Sequence, residues 1–355
     1  MSIKVGVVGG GRFGLMHLRT FDQLRREGRV ESIALAEING ELLQERCTEF
    51  GVAGYADYFE MLQREELDAV TVVTPDFLHR QIALDCIAAG KHVLVEKPLD
   101  TSTEGCGQIV RAAERAGVMV QVDFHKRFDP YHTELHDAIA QGELGVPEYG
   151  YAWVEDSIEV PRDWFPHWVA QSSPAWFLGV HMVDLFRWFI GGRNGRRVWA
   201  TASKCKLASL GIDTYDSVQA LIEFEDSVSF HLDASWIMPE GFEALVNQGI
   251  RIVGSEGVGE VDSQDRGARL ATTTGGQRTV NSSFFLQQPG RGGMRYSGYG
   301  VDAIADFADN VQLLKAGCKL DEKCGRSAYA RDGLEVTRIT EGIHRSIETG
   351  EIVEL

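Results

Sequence analysis

Short apolar runs alternate with longer stretches of mixed polarity through the first third of the chain. Residues 4–8 (KVGVV), 32–36 (SIALA), 69–73 (AVTVV), 93–95 (VLV) and 118–122 (VMVQV) are apolar almost throughout. That pattern fits strands covered on both faces, as in parallel sheets. Between them, residues 14–26, 40–50, 58–63, 77–89 and 102–116 read as helices; in the fourth, Leu78, Ile82, Leu84 and Ile87 supply the apolar positions. Strand and helix in regular turn predict a doubly wound parallel sheet over residues 1–124. Ligands of such sheets bind beyond the carboxyl ends of the strands.

After Val122 the alternation lapses. Residues 218–224 and 227–236 carry period-two patterning, with Val218, Ala220, Ile222 and Phe224 on one face and Val228, Phe230, Leu232, Ala234 and Trp236 on the matching one. Glu225 and Asp226 can turn between them, which predicts an antiparallel hairpin with one buried face. Further strands are expected at 149–154, 198–206, 249–253 and 269–273. The nearly all-apolar segment 173–190 reads as a helix, with Pro174 suited to its first turn. Glycine, serine, threonine and glutamine dominate residues 273–299, which read as a long mobile loop. Residues 125–355 are thus expected to form an α+β domain with a large, mostly antiparallel open sheet and helices on one side. Its other face could pair subunits into a homo-oligomer, a dimer or tetramer.

Composition narrows the function classes. With 355 residues, 44% hydrophobic and 25% charged, the chain has ample core for two domains. A formal net charge of −17 opposes nucleic-acid backbones and anionic membranes as partners. No apolar run approaches the roughly 18 residues of a membrane span. MSIKVGVVGGG enters a strand after four residues and lacks the features of a signal peptide. The six cysteines are scattered, without a C-x-x-C pair, and read as the reduced thiols of a cytoplasmic protein.

The first strand runs into Gly9-Gly10-Gly11-Arg12-Phe13-Gly14, a G-x-G-x-x-G that opens a helix. Glycines permit the tight turn and the close approach of a pyrophosphate, whose charge sits at the helix N-terminus. Glu37, at the end of the second strand, can accept hydrogen bonds from ribose hydroxyls and would repel a 2′-phosphate, so NAD is expected over NADP. Arg12 could meet a phosphate and offset that choice. Thr74-Pro75-Asp76 and Glu96-Lys97-Pro98 follow the strands at 69–73 and 93–95 and face the same crevice. A lysine there can reach substrate and exchange a proton; it could equally cap the next helix. His125, Lys126 and Arg127 follow the strand at 118–122, at the same edge, or in a solvated linker. His181 and Asp184 stand three apart on one helical face, though a histidine among apolar residues also suits a core. No second histidine or cysteine stands at ligand spacing around His181, so no metal is expected.

Together these pieces resemble the glucose–fructose oxidoreductase, inositol dehydrogenase and MocA family of NAD(P)-dependent oxidoreductases. The matching residues are GGGRFG (9–14), VVTPDFLH (72–79, ending in His79), EKP (96–98), HKRFDP (125–130), GVHMVDL (179–185) and the closing ARDGLEVTRITEGIHRS (330–346). The resemblance implies a Rossmann domain followed by a substrate-binding and oligomerisation domain. It implies Gly9, Gly11, Arg12, Phe13, Gly14, Glu37, Thr74, Pro75, His79, Glu96 and Lys97 as cofactor contacts. Lys97, His181 and Asp184 become the catalytic residues, with His125, Lys126, Arg127, Trp164 and Asp184 on the substrate. Lys97 and His181 would then converge on one reactive carbon. Trp164, Phe165, Trp168 and Trp176 suit stacking on a sugar ring and suit a core equally. One departure stands out: family dehydrogenases often carry an aspartate four residues before the histidine, where this chain has Phe177.

The expected activity is hydride transfer between nicotinamide and a secondary hydroxyl or carbonyl of a sugar, cyclitol or related polyol. The alternatives are an NAD-dependent glycoside-cleaving enzyme of the same family and a non-catalytic dinucleotide or sugar sensor.

Overall fold

In the computed structural model, which describes residues 2–262, 268–272, 276–280, 284–290, 293–320 and 325–355, the apolar runs of the first third become strands of one sheet. They are β1 (Ile3–Val8), β2 (Val30–Ala36), β3 (Ala53–Tyr55), β4 (Ala69–Val72), β5 (His92–Val95) and β6 (Val120–Val122). The helices between them are α1 (Arg12–Arg26), α2 (Gly40–Phe50), α3 (Tyr58–Arg64), α4 (His79–Ala88) and α5 (Thr103–Ala116). The order is β6-β5-β4-β1-β2-β3, with every pair parallel. Helices cover both faces, so Val5, Val7, Val70, Val72, Val93 and Val95 are wholly buried, which explains why these runs lack alternation. The order reverses between β1 and β4, and the crevice beyond their carboxyl ends is where such folds bind ligands. Three-residue β3 leaves too little pattern to be read from sequence.

The chain then builds a second sheet. Its elements are α6 (Pro130–Ala140), β7 (Pro147–Ser157), α7 (Val180–Phe189), β8 (Gly195–Ser203), α8 (Lys206–Ser209), β9 (Ser217–Phe224), β10 (Ser229–Met238), β11 (Val246–Gly254) and β12 (Val258–Asp262). The order is β12-β11-β7-β10-β9-β8, antiparallel except for the parallel β7–β10 pair. The expected hairpin is β9–β10, in a register that pairs Ile222 with Phe230 and Ala220 with Leu232. α7 packs on this sheet through Phe186, whose ring lies 4.3 Å from Phe230 and 5.5 Å from Phe224. A Cβ on Gly150 would come within 2.5 Å of that ring, so β7 needs glycine where α7 crosses it. β13 (Ala268–Thr272) and β14 (Gly276–Val280) form a separate hairpin.

The remaining elements are β15 (Leu286–Gly290), β16 (Gly293–Ser297), α9 (Tyr299–Lys315), β17 (Ala328–Tyr329), α10 (Ala330–Thr349) and β18 (Val353–Glu354). Contacts divide the chain into one unit of residues 1–128 and 284–334 and another of 129–283 and 335–355. A single boundary at 124/125 therefore misplaces residues 284–334. Ile304, Phe307, Ala308 and Val311 of α9, with Tyr329, join the core of the parallel sheet, and β17 adds an antiparallel strand beside β6. In the second unit β18 extends the other sheet beside β8.

The expected mobile loop at 273–299 also needs correction. Its described residues hold β14, the β15–β16 hairpin and the start of α9; residues 273–275, 281–283 and 291–292 lie outside the described residues. α1 secures β16, with Arg26 Nη2 donating to the Met294 carbonyl (2.8 Å) and the Tyr296 backbone N–H donating to Gln23 Oε1 (2.6 Å). Among the described residues, no helix is long and apolar enough to cross a membrane.

Candidate cofactor and active site

Gly9 to Gly11 turn the chain between β1 and α1. Gly9 has φ +102°, and a Cβ there would lie 2.2 Å from the Val73 carbonyl oxygen. A Cβ on Gly14 would lie 2.0 Å from the Gly9 carbonyl oxygen, whereas nothing stands within 4 Å of a Cβ on Gly11. Two glycines thus let β1, the end of β4 and α1 close together, and the third leaves the mouth of α1 open. Gly11 is the N-cap, and no side chain caps the helix. An open helix N-terminus with backbone N–H groups to offer fits a dinucleotide pyrophosphate. Glu37 Oε2 accepts from the Gly10 N–H at 2.7 Å and Oε1 from the Asn39 N–H at 2.8 Å. Two backbone donors fix this carboxylate at the end of β2 and leave acceptor capacity for vicinal hydroxyls. Arg12 is exposed beside the loop, while Phe13 packs against the core of the sheet.

Thr74 and Pro75, both half-buried, follow β4. His79, expected at the cofactor, is wholly buried. Its Nε2 lies 2.8 Å from the Thr74 carbonyl oxygen and its Nδ1 2.7 Å from that of Pro98. Both nitrogens are engaged by the chain, so the ring ties the loop after β4 to the loop after β5.

Lys97 follows β5 and is 5% exposed. It belongs to a buried group of titratable side chains, its charge acting on Glu96, Asp123 and His125. His17, from α1, places Nε2 3.3 Å from Glu96 Oε1 and 3.7 Å from Asp123 Oδ2. His125 Nδ1 lies 3.9 Å from Asp123 Oδ1. Burial works to raise Glu96, but the hydrogen bond and charge of His17, with Lys97, outweigh it and hold the carboxyl down at about 2. Asp123 moves the other way: burial first, then the neighbouring Glu96, push it well above the usual carboxylate range. Burial drives His125 down to about 3 and keeps it neutral.

His17 and the role of Asp123 were not legible in the chain. The available signal was a histidine on the face of α1 that also carries buried Leu18, Phe21 and Leu24.

The other expected site residues separate into two sets. In the first unit His125 packs between Phe284 (5.0 Å between ring centroids) and Tyr299 (5.7 Å). Lys126 is buried beside it, and Arg127 donates to the Ser327 carbonyl and pairs with Asp332 at 3.6 Å. In the second unit His181 and Asp184 are buried on α7, and Trp164 is half-buried in the single wide turn at Val160–Trp164. Phe177 sits among aromatics, with ring centroids 4.8 Å from Phe165 and 5.8 Å from Trp236. Trp176 stacks on His344, centroids 5.0 Å apart and planes 11° apart.

A family model described as an oxidoreductase family with an NAD-binding Rossmann fold matches residues 3–124, and a GFO/IDH/MocA C-terminal domain model matches residues 132–260. Inositol 2-dehydrogenase 2 of Saccharopolyspora erythraea is 32% identical over 230 residues, covering 64% of this chain. The chain spans 65% of that relative's own length. GenD2 from gentamicin A biosynthesis, solved in complex with NAD, superposes with a TM-score of 0.82 at 26% identity, over 100% of this chain and 96% of that one. The myo-inositol 2-dehydrogenase of Lactobacillus plantarum superposes with a TM-score of 0.81 over 100% of both chains. At 18% identity, that likeness speaks for the fold.

Proposed function

We propose, since the chain belongs to the glucose–fructose oxidoreductase, inositol dehydrogenase and MocA family of oxidoreductases, that it is an NAD-dependent dehydrogenase or reductase of a secondary hydroxyl or carbonyl on a cyclitol, sugar or related polyol. The reading is carried by the glycine loop, open at Gly11 and backed by Glu37, at the strand ends from which Lys97 also emerges. Inositol 2-dehydrogenase relatives support the substrate class. Bound NAD would accept the carbinol hydride at its nicotinamide.

Gly9, Gly11, Gly14 and the first turn of α1 would hold the pyrophosphate, with Arg12, Phe13, Thr74 and Pro75 around it. Glu37 would accept from the ribose hydroxyls. His79 and Glu96 act on the loops that carry these groups. Lys97 is the general acid/base, accepting or returning the hydroxyl proton at Nζ. His181 and Asp184 of the second unit serve the substrate hydroxyl, and Phe177 removes the carboxylate that family relatives often place before the histidine. His125, Lys126, Arg127 and Trp164 are assigned to the substrate side. The exposed sheet face carrying Tyr149, Tyr151, Trp199 and Leu221 is assigned to homo-oligomer contact.

The test is NADH absorbance with a panel of cyclitols, hexoses and sugar acids. Lys97→Met should lower kcat by roughly 10² to 10⁴-fold, the range of acid–base catalysis, with NAD affinity measured separately by fluorescence. Wild-type turnover in that variant removes Lys97 from the chemistry.

A further inference from the structure

The assignment of Lys97 as acid/base leaves unexplained why two carboxyl groups and a histidine are buried together beside it. His17, Glu96 and Asp123 are 0%, 5% and 1% exposed, and their ligating atoms lie within 4.8 Å of one another. The group offers few donors. His17 Nε2 is within hydrogen-bond reach of Glu96 Oε1 at 3.3 Å but stands 3.7 Å from Asp123 Oδ2. Glu96 Oε2 accepts from the backbone N–H of Lys97 at 3.3 Å. Among the described residues, neither oxygen of Asp123 has a donor, and both are buried. A buried ionised carboxylate without a donor is among the costliest arrangements a protein can hold.

A carboxyl oxygen of Asp123 lies within 4.8 Å of one of Glu96, and two carboxyls can bond only when one of them carries a proton. Glu96 is the one supplied with donors. The proton belongs on Asp123.

We propose that Asp123 is a neutral acid donating to Glu96, and that His17, Glu96 and Asp123 form a positioning device for Lys97. Glu96 is clamped on one oxygen by His17 and on the carboxyl by Asp123, and through its other oxygen it holds the peptide from which Lys97 departs. On the far side of the turn His79 bonds the Pro98 carbonyl. The Glu96–Pro98 turn is thereby fixed at both ends, and the ammonium is aimed by groups that never touch substrate. This role rests on Lys97 being the acid/base; the protonation of Asp123 does not.

Two measurements on the full chain with NAD bound test it. Infrared difference spectra between wild type and Asp123→Asn at neutral pH should show a protonated carboxylic acid C=O stretch that the variant lacks. Asp123→Leu should lower kcat on the order of a hundredfold, the scale of a misplaced reacting group. Asp123→Asn, whose amide is also a neutral donor, should recover most of that loss. Absence of the acid band overturns the proposal, whether or not Asp123→Leu folds. It is equally overturned if Asp123→Asn is no better than Asp123→Leu, or if purified protein holds a stoichiometric metal ion that depends on His17 and Asp123. Should Lys97→Met keep full turnover while the acid band persists, the failure belongs to the assignment of Lys97.

Discussion

At Gly9 a methyl group would meet the Val73 carbonyl at 2.2 Å on a backbone already at φ +102°. At Gly11, two residues on, it would meet nothing within 4 Å. The two positions should therefore fail differently. Gly9→Ala should lower stability by about 1–3 kcal/mol or more, read as a drop in melting temperature, whereas Gly11→Ala should weaken NAD binding with little change in melting. Glu37 tests the discrimination between nucleotides. Removing its charge as Glu37→Ser should move the NAD-to-NADP ratio of kcat/KM by about tenfold or more towards NADP, about 1.4 kcal/mol. An unchanged ratio would show that the carboxylate does not read the ribose. These residues were legible because glycine and glutamate at strand ends are local signals. The partnership of His17 with Asp123 was not: it depends on which face of α1 turns towards the ends of β5 and β6, and spacing along the chain does not encode that.

At the scale of elements, the turn that leads into α7 is pinned to α10 within the second unit. His344 Nδ1 lies 2.8 Å from the Thr340 carbonyl oxygen, so that nitrogen carries the proton and Nε2 accepts from the Ser173 hydroxyl at 2.8 Å. Ser173 Oγ in turn accepts from the Trp176 backbone N–H. Burial holds His344 below its ordinary 6.5, and protonation would take away the acceptor that Ser173 uses. The unfolded chain then binds more protons than the folded one below about 6.5. This contribution to stability is complete above that pH and is lost as pH falls through the folded value. Burial shifts His92 and His125 the same way. Melting temperature should therefore fall on acidification, and His344→Gln, which keeps an acceptor but cannot titrate, should flatten part of the slope; parallel curves would remove His344 from the account. Elements with clear periodicity were readable from sequence. The glycine-rich hairpins were not, because their strands are too short to show a period.

For the whole molecule, the outer face of the second sheet offers a further test. Tyr149, Tyr151, Trp199 and Leu221 are 44%, 37%, 47% and 40% exposed on strands β7, β8 and β9 of that sheet, where a lone subunit would ordinarily present polar side chains. If that face joins subunits, Trp199→Glu should shift sedimentation towards monomer, and an unaltered sedimentation coefficient would relocate the contact. Two domains of these classes were foreseeable from periodicity. Their interleaving was not, since a helix such as α9 gives no sign of which sheet it will cover. The order of synthesis makes that interleaving consequential. α9 and β17 leave the ribosome long after β6, yet Phe307, Val311 and Tyr329 belong to the same core as Val5 and Leu35. A nascent dinucleotide domain must wait with part of that apolar surface uncovered, which makes it a natural client for chaperones until the distant segment arrives.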